Sequence, residues 1–282
     1  YNAVPGDLGG RFYYMKETGK KAWNPGFLPT KTPLDRYECR HGMGYTVFDS
    51  AKDGLAARMT FFVPVGENCE IHDLVLTNET REAKEVHLYG CMEWCLWNAV
   101  DDSANYQRNL NIAECEAEDR ILYHKTEYRE RRDHYAYYAV NRDTAGWDTD
   151  RNTFLGPMGD WSAPALVERG SSAFSRITGW YPIGCHHLKI ALAPGESQRV
   201  IFLLGYGKNP RDRKFLSPGV IRKDDAHATA AKYADPAAVD AAFAALGRYW
   251  DSLLSSYQLR SGEEKLDRMV NIWHQYQCMV TF

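Results

Sequence analysis

Several features are missing from these 282 residues, and each absence excludes something. No apolar run approaches the roughly 18 residues a membrane-crossing helix needs; Ile201 to Gly205 and Val86 to Leu88 are far shorter. Net positive charge is missing too. Lys and Arg number 34 against 37 Asp and Glu, a formal −3, so no general field gathers nucleic acid or an anionic membrane. There is no phosphate-cradling Gly-rich loop, no dinucleotide fingerprint between strand and helix, and no paired CxxC, which sets aside nucleotide and structural-zinc chemistry. Repeats and low-complexity tracts are absent. The seven cysteines (Cys39, Cys69, Cys91, Cys95, Cys115, Cys185 and Cys278) are odd in number and scattered. That suits a reducing compartment, so a soluble cytoplasmic protein with free thiols is expected, with neither nucleic-acid nor membrane partners. The chain opens on Tyr1 without a signal sequence and closes at Phe282 inside an apolar helical pattern with no capping residue, so a polypeptide continuing beyond both ends is expected.

What is present is an ordinary globular composition, 44% hydrophobic and 25% charged, with 13% aromatic residues. Aromatics at this density serve β cores, interfaces and sugar-stacking platforms alike. From Arg11 to about Tyr206, short apolar or alternating runs end in Gly, Pro, Asn or Asp, the pattern of a large antiparallel β-sandwich. The clearest strand runs from Val86 to Trp97, with Val86, Leu88, Met92, Trp94 and Leu96 on one parity and Gly90 marking a bulge or close approach. Further strands are expected at Leu55 to Val63, Ile71 to Thr77, Tyr135 to Val140, Leu188 to Leu192 and Arg199 to Gly205. The last two are expected to pair as a hairpin through Ala193-Pro194-Gly195-Glu196.

After about Val220 the period changes to 3.6. Asp235 reads as an N-cap with Pro236 at the first helical position, and Val239, Phe243, Leu246, Trp250, Leu253 and Tyr257 share one face. Ser261 and Glu264 read as a capping box opening a second helix, apolar over a broad face through Leu266, Met269, Val270, Trp273, Tyr276 and Val280. The expected domains are therefore a sandwich over 1–220, helices over 221–260 and a further helix over 261–282.

Residues with chemical potential are few. His186-His187 offers two metal ligands, but neighbours on a strand point to opposite faces, so one His inside and one outside is the better expectation. His124 to His134 packs four cations among three carboxylates, which suits either a solvated ion-pair ladder or an Arg cluster docking an anion or a partner; its near balance of charge favours a structural role. Asp101 to Asn109 is almost wholly polar, and its Gln, Arg and Asn supply the fixed donors a sugar's hydroxyls require, though a plain loop fits equally. Asp101, Asp102, Glu114 and Glu116 offer carboxylates for glycosidic chemistry, a weak signal because separation is not visible in sequence.

Eight stretches together resemble the cellobiose phosphorylases of glycoside hydrolase family 94. They are Asp7 to Arg11, Tyr37 to Tyr45, Trp94 to Ala99, Asn105 to Asn109, Tyr123 to Ala136, Asp148 to Arg151, Gly179 to Gly184 and Met269 to Phe282. One departure is His274, where the family usually carries Asn. The resemblance implies an N-terminal β-sandwich lacking its first strands, linker helices from about Ile221, and the first helix of an (α/α)6 barrel from Ser261. It implies reversible, inverting phosphorolysis of cellobiose to α-D-glucose 1-phosphate and D-glucose, with inorganic phosphate as substrate and no cofactor. One barrel Asp would act as general acid while phosphate attacks the opposite face. That Asp and the phosphate ligands would lie beyond Phe282, so no catalytic residue is assigned here and the 282 residues alone are expected to be inactive. Gln107 and Arg108 match positions that reach the acceptor glucose from the neighbouring subunit of a homodimer. The partners implied are cellobiose, glucose, phosphate and a second copy. The alternatives are another disaccharide phosphorylase, such as one for laminaribiose, or a non-catalytic carbohydrate-binding or dimerisation sandwich.

Overall fold

Alternation along the strands sorts apolar side chains onto two faces, and the computed structural model, which describes residues 10–94, 114–118, 120–125, 133–177, 179 and 181–281, shows where each face goes. β1 (Arg11–Lys16), β6 (Lys84–Glu93), β11 (Pro182–Leu192) and β10 (Gly146–Asp150) form an antiparallel sheet in that order. A larger antiparallel sheet runs β2 (Arg36–Gly42), β3 (Tyr45–Lys52), β4 (Leu55–Phe62), β5 (Cys69–Asn78), β12 (Ser197–Lys208), β9 (His134–Val140), β8 (Ile121–Lys125) and β7 (Glu114–Glu118). The protein is mainly β, a large antiparallel sandwich followed by helices.

One parity of each sheet fills the space between them. Tyr13 and Met15 of β1, Val86, Leu88 and Met92 of β6, Leu188, Ile190 and Leu192 of β11, and Leu74, Leu76, Tyr138, Val200 and Phe202 of the larger sheet form this central core. The opposite parity of the small sheet, Phe12, Tyr14, Tyr89, Cys91, Ile183 and Cys185, is covered by Trp161 and the short helices α1 (Arg151–Leu155) and α2 (Ala165–Arg169). Ile71, Tyr123, Tyr135, Tyr137, Ile201 and Leu203 on the outer face of the larger sheet are covered by α3 (Asp224–Tyr233) and α4 (Pro236–Leu254) through Ala226, Tyr233, Val239 and Leu246. The strands thus end at β14 (Val220–Ile221), which pairs with β13 (Phe215–Ser217), before the helices begin.

Gly90 resolves as a close approach rather than a bulge. Its register against β1 and β11 is unbroken, and a Cβ there would lie 2.6 Å from the Phe202 ring and 2.7 Å from the Tyr138 hydroxyl. The Asp235 cap forms as expected, its carboxylate accepting from the Ala237 amide at 2.9 Å. The Ser261 capping box does not. The N-cap of α5 (Glu264–Arg268) is Glu263, and Ser261 instead donates through its amide (2.8 Å) and hydroxyl (2.6 Å) to Asp267, a carboxylate one turn further on. After α5 the backbone widens into a π-helical stretch at Met269–His274 and returns to α6 (Gln275–Thr281). Asn271 and Gln275 tie this run to the end of α4, Asn271 exchanging two hydrogen bonds with Leu259 and Gln275 donating to the Leu254 and Tyr257 carbonyls. Leu266, Met269, Trp273, Met279 and Val280 remain exposed.

The turn at Ala193–Glu196 forms, with Gly195 at φ 72 and the Glu196 amide on the Ala193 carbonyl at 3.0 Å, but it makes no hairpin. β11 and β12 lie in different sheets, so the turn arches from one layer to the other. The reason is buried Asn78, whose side-chain amide donates to the Leu192 and Ala193 carbonyls while its backbone bonds Gly195 and Glu196. Local turn chemistry reports a reversal, not which strands pair across it.

An added methyl at position 90 has nowhere to go in a close-packed core. Gly90→Ala should therefore lower the unfolding free energy by about 1–3 kcal/mol, the usual range for overpacking. Urea denaturation measures this, and an unchanged midpoint would contradict the packing.

Candidate functional site

β6 ends at Glu93, and five of the eight stretches quoted above meet there. The Glu93 amide donates to the Gly10 carbonyl at 3.0 Å, which brings in Gly10 and Arg11. Glu93 stands opposite Ile183 in register, and the indole of Trp94 lies over Gly184, where a Cβ would come within 2.8 Å of it. Trp94 also tilts against the His124 ring, with ring centres 5.7 Å apart. Arg151 approaches Glu93, Nε to Oε1, at 3.3 Å, with its guanidinium carbon 5.5 Å from the Trp161 ring centre and 5.4 Å from that of Tyr181.

Two further networks hold this rim. Buried Asp148 accepts from the Ser175 amide (3.0 Å), the Ser175 hydroxyl (2.7 Å) and the Ala173 amide (3.2 Å), while Thr149 donates to the Ser175 carbonyl and accepts from the Ile177 amide. Residues 173–177 are thereby stapled along β10. Burial raises the Asp148 pKa, and these hydrogen bonds oppose the rise. The second network runs inward from Arg11, which pairs with Glu70. Glu70 lies 3.3 Å from His72 Nε2, His72 Nδ1 bonds the Tyr13 hydroxyl, and Tyr13 bonds the Tyr138 hydroxyl at 3.0 Å.

Gln107 and Arg108, with Asp101 and Asp102, lie outside the described residues. The frame on which their segment is mounted is described: it leaves β6 after Trp94 and re-enters at Glu114 in β7. Cys115 of β7 stands opposite His124 of β8, so both ends of the segment border the same Trp94–His124 contact. Glu116 is occupied, paired with Lys223 at 2.6 Å and accepting from the Ile221 amide at 2.9 Å. The middle of His124 to His134 also lies outside the described residues, but its ends are not solvated. His124, Lys125 and Asp133 are buried, because β8 sits inside the larger sheet and Asp133 is held by His134 and Lys208.

The expectation for His186-His187 needs correction: both are buried, because the small sheet has a covering layer on each side. His186 donates through Nε2 to the Tyr138 carbonyl at 2.9 Å in the central core. His187 faces the other way, stacked on Tyr89 with ring centres 4.3 Å apart and bonded to His87 at 2.9 Å. Among the described residues no group of three or more His, Cys, Asp or Glu is placed to hold a metal ion, and no helix is long and apolar enough to cross a membrane. Sequence reasoning missed the Glu93–Arg151–Trp161–Tyr181 cluster, whose members are far apart along the chain; Arg151 and Tyr181 stood in quoted stretches, but nothing local pairs them.

Residues 1–236 match the glycosyl hydrolase 94 supersandwich domain, and residues 249–282 match the catalytic domain of the glycosyl hydrolase 94 superfamily. The chain belongs to glycosyl hydrolase family 94. An N,N'-diacetylchitobiose phosphorylase of Vibrio proteolyticus is 30% identical over 96% of this chain and 33% of its own length. A solabiose phosphorylase of Paenibacillus borealis is 33% identical over 80% of the chain and 30% of its own. A 3-O-beta-D-glucopyranosyl-beta-D-glucuronide phosphorylase, also of Paenibacillus borealis, is 24% identical over 96% and 34%. The chain spans about a third of the length of these relatives.

Burial lowers the pKa of His72, His124, His186 and His187, which predicts an acid-sensitive fold. Burial holds His124 down to about 3, His186 to about 4 and His187 to about 4, the neighbouring Lys125 adding to the first and His87 and Lys189 to the last. An unfolded His titrates near 6.5, so between about pH 6.5 and 4 the unfolded chain binds protons the native one refuses. Stability present above pH 6.5 should therefore drain away across that window as pH falls; the raised Asp148 works in the opposite sense. Denaturation midpoints measured from pH 7 to 4.5 test this, and His186→Gln, which keeps a donor near the Tyr138 carbonyl, should flatten the slope. A pH-independent midpoint would refute the assignment.

Proposed function

We propose that the protein acts as an inverting disaccharide phosphorylase, cleaving cellobiose with inorganic phosphate to α-D-glucose 1-phosphate and D-glucose, and that this region supplies acceptor-sugar contacts and a dimer interface. The observation that carries the reading is that relatives aligned over 80% and 96% of the chain are named as phosphorylases of disaccharides. Cellobiose comes from the resemblance of the eight stretches. The relatives' names differ in their sugar while each aligns with most of this chain, which supports a division in which the sandwich carries loops that grade the acceptor. The catalytic acid and the phosphate site are assigned to the catalytic domain, whose match begins at residue 249. In this mechanism the acid protonates the glycosidic oxygen as phosphate attacks the anomeric carbon from the opposite face, so no catalytic base is required.

A second substrate, N,N'-diacetylchitobiose, is favoured by the relative aligned over 96% of the chain. The product of the complete reading frame, incubated with phosphate and each disaccharide in turn, should release glucose 1-phosphate from cellobiose. Release of N-acetylglucosamine 1-phosphate alone would install the second reading, and no sugar phosphate from any disaccharide would sink both.

Arg108 is assigned to the acceptor sugar together with Gln107. A hydrogen bond from a charged donor is worth roughly 1.5–3 kcal/mol, so Arg108→Ala should weaken acceptor use in the synthetic direction about ten- to a hundredfold and leave the phosphate KM nearly unchanged. If the segment acts across a dimer, mixing this variant with one lacking the catalytic acid should restore activity. Unchanged acceptor kinetics would remove the role, and no rescue in verified heterodimers would remove the cross-subunit geometry.

A further inference from the structure

We propose that the cavity between the end of β1 and the end of α2 is a binding site for a small hydroxyl-bearing phosphate ester, a hexose phosphate. It arises where β1 stops at Lys16. The chain turns through residues 17–20, with Gly19 at φ 76 and the Lys20 amide on the Glu17 carbonyl at 3.1 Å, and Met15 and Trp23 then exchange backbone hydrogen bonds as it returns. α2 ends nearby on its C-cap Gly170, and His87 of β6 completes the lining. The space is about 420 Å³, within the range of small-molecule sites.

Four cations line it against one carboxylate, Lys16, Lys20, Lys21 and Arg169 against Glu168, in a chain whose formal charge is −3. Lys16 is the preformed part. It is only 8% exposed, and its ammonium donates to the Lys20 carbonyl and, at 2.9 Å, to Glu168 Oε2, so little side-chain freedom is lost when an anion arrives. Lys20 pairs with Glu17 at 3.0 Å, a carboxylate that Lys84 also neutralises at 2.8 Å. The side chains of Lys21 and Arg169 are exposed and have no hydrogen-bond or ion-pair partner among the described residues. A guanidinium and free ammonium groups are the donors a phosphate dianion requires. The last carbonyls of α2 do not oppose this charge, because those of Leu166 and Val167 already accept from the Ser171 and Gly170 amides.

Two features select an ester over bare phosphate. Glu168 Oε1 carries no hydrogen bond among the described residues, and a carboxylate repels an anion unless the ligand also brings hydroxyls to donate to it. His87 Nδ1 is bonded to His187 at 2.9 Å, and His187 to the Ser172 hydroxyl at 3.2 Å, which leaves His87 Nε2 for the ligand. Burial, Lys189 and Lys16 hold this imidazole below its usual pKa, against the opposing charge of Glu85. A neutral ring beside a carboxylate suits the sugar, while Lys16, Lys21 and Arg169 suit the phosphate.

Calorimetric titration of the complete gene product with glucose 6-phosphate and with inorganic phosphate, repeated on the double variant Lys21→Ala/Arg169→Ala, tests the site. Binding to the catalytic domain is common to both proteins, so the difference between them is what counts. Both replaced side chains are exposed, so the variant should keep the parent's urea midpoint while its affinity for glucose 6-phosphate falls about tenfold, the loss expected for one charged hydrogen bond or more. The affinity for inorganic phosphate should change less than threefold. Equal affinities of parent and variant for glucose 6-phosphate, or no binding by the parent, would overturn the site. An equal loss for inorganic phosphate would overturn the choice of an ester.

Discussion

Along its middle, β6 has no solvent face. Val86, Leu88 and Met92 press into the central core while Tyr89 and Cys91 enter the core beneath α1 and α2, and the closeness of the first packing depends on Gly90 presenting only backbone to Phe202 and Tyr138. A sheet buried on both sides cannot slip by one residue without driving apolar side chains onto polar partners, so its register is strongly specified. The same constraint carries through β11, where it buries both members of the His186-His187 pair. It also delivers the end of β6 to a fixed place beside Gly10 and Ile183.

The rim at that end uses polar and aromatic groups where the interior of the sheet uses aliphatic ones. Asp148 and Thr149 staple one flank, Trp94 closes over Gly184 and His124, and Arg151 joins Glu93 to two rings. Such contacts are directional, and hydrogen bonds to a buried carboxylate lose much of their value when bent. They therefore orient chain ends more sharply than apolar packing does.

Much of the architecture was legible in the sequence because it is written in local periods. The strand parities of Val86 to Met92, the change to helical spacing after Val220 and the Asp235-Pro236 helix start all depend on neighbours within a turn or a strand. What was not legible depends on which layer a segment joins. The Ala193–Glu196 turn reads as a hairpin until Asn78 is seen occupying its carbonyls. His186-His187 reads as one inside and one outside until a second covering layer is known, and Ser261 seeks Asp267 rather than Glu264. The rim cluster was hidden for the same reason, since Glu93, Arg151, Trp161 and Tyr181 share no local pattern. The resemblance to family 94 supplied Gln107 and Arg108, which composition and spacing alone left as a polar loop.

The central proposal is that Gln107 and Arg108 contact the acceptor sugar. The most direct test is a crystal structure of the complete gene product with phosphate and the acceptor sugar bound. The account predicts the Arg108 guanidinium or the Gln107 amide within hydrogen-bonding distance of an acceptor hydroxyl. An ordered acceptor with neither side chain within reach, in either subunit of the assembly, would contradict it.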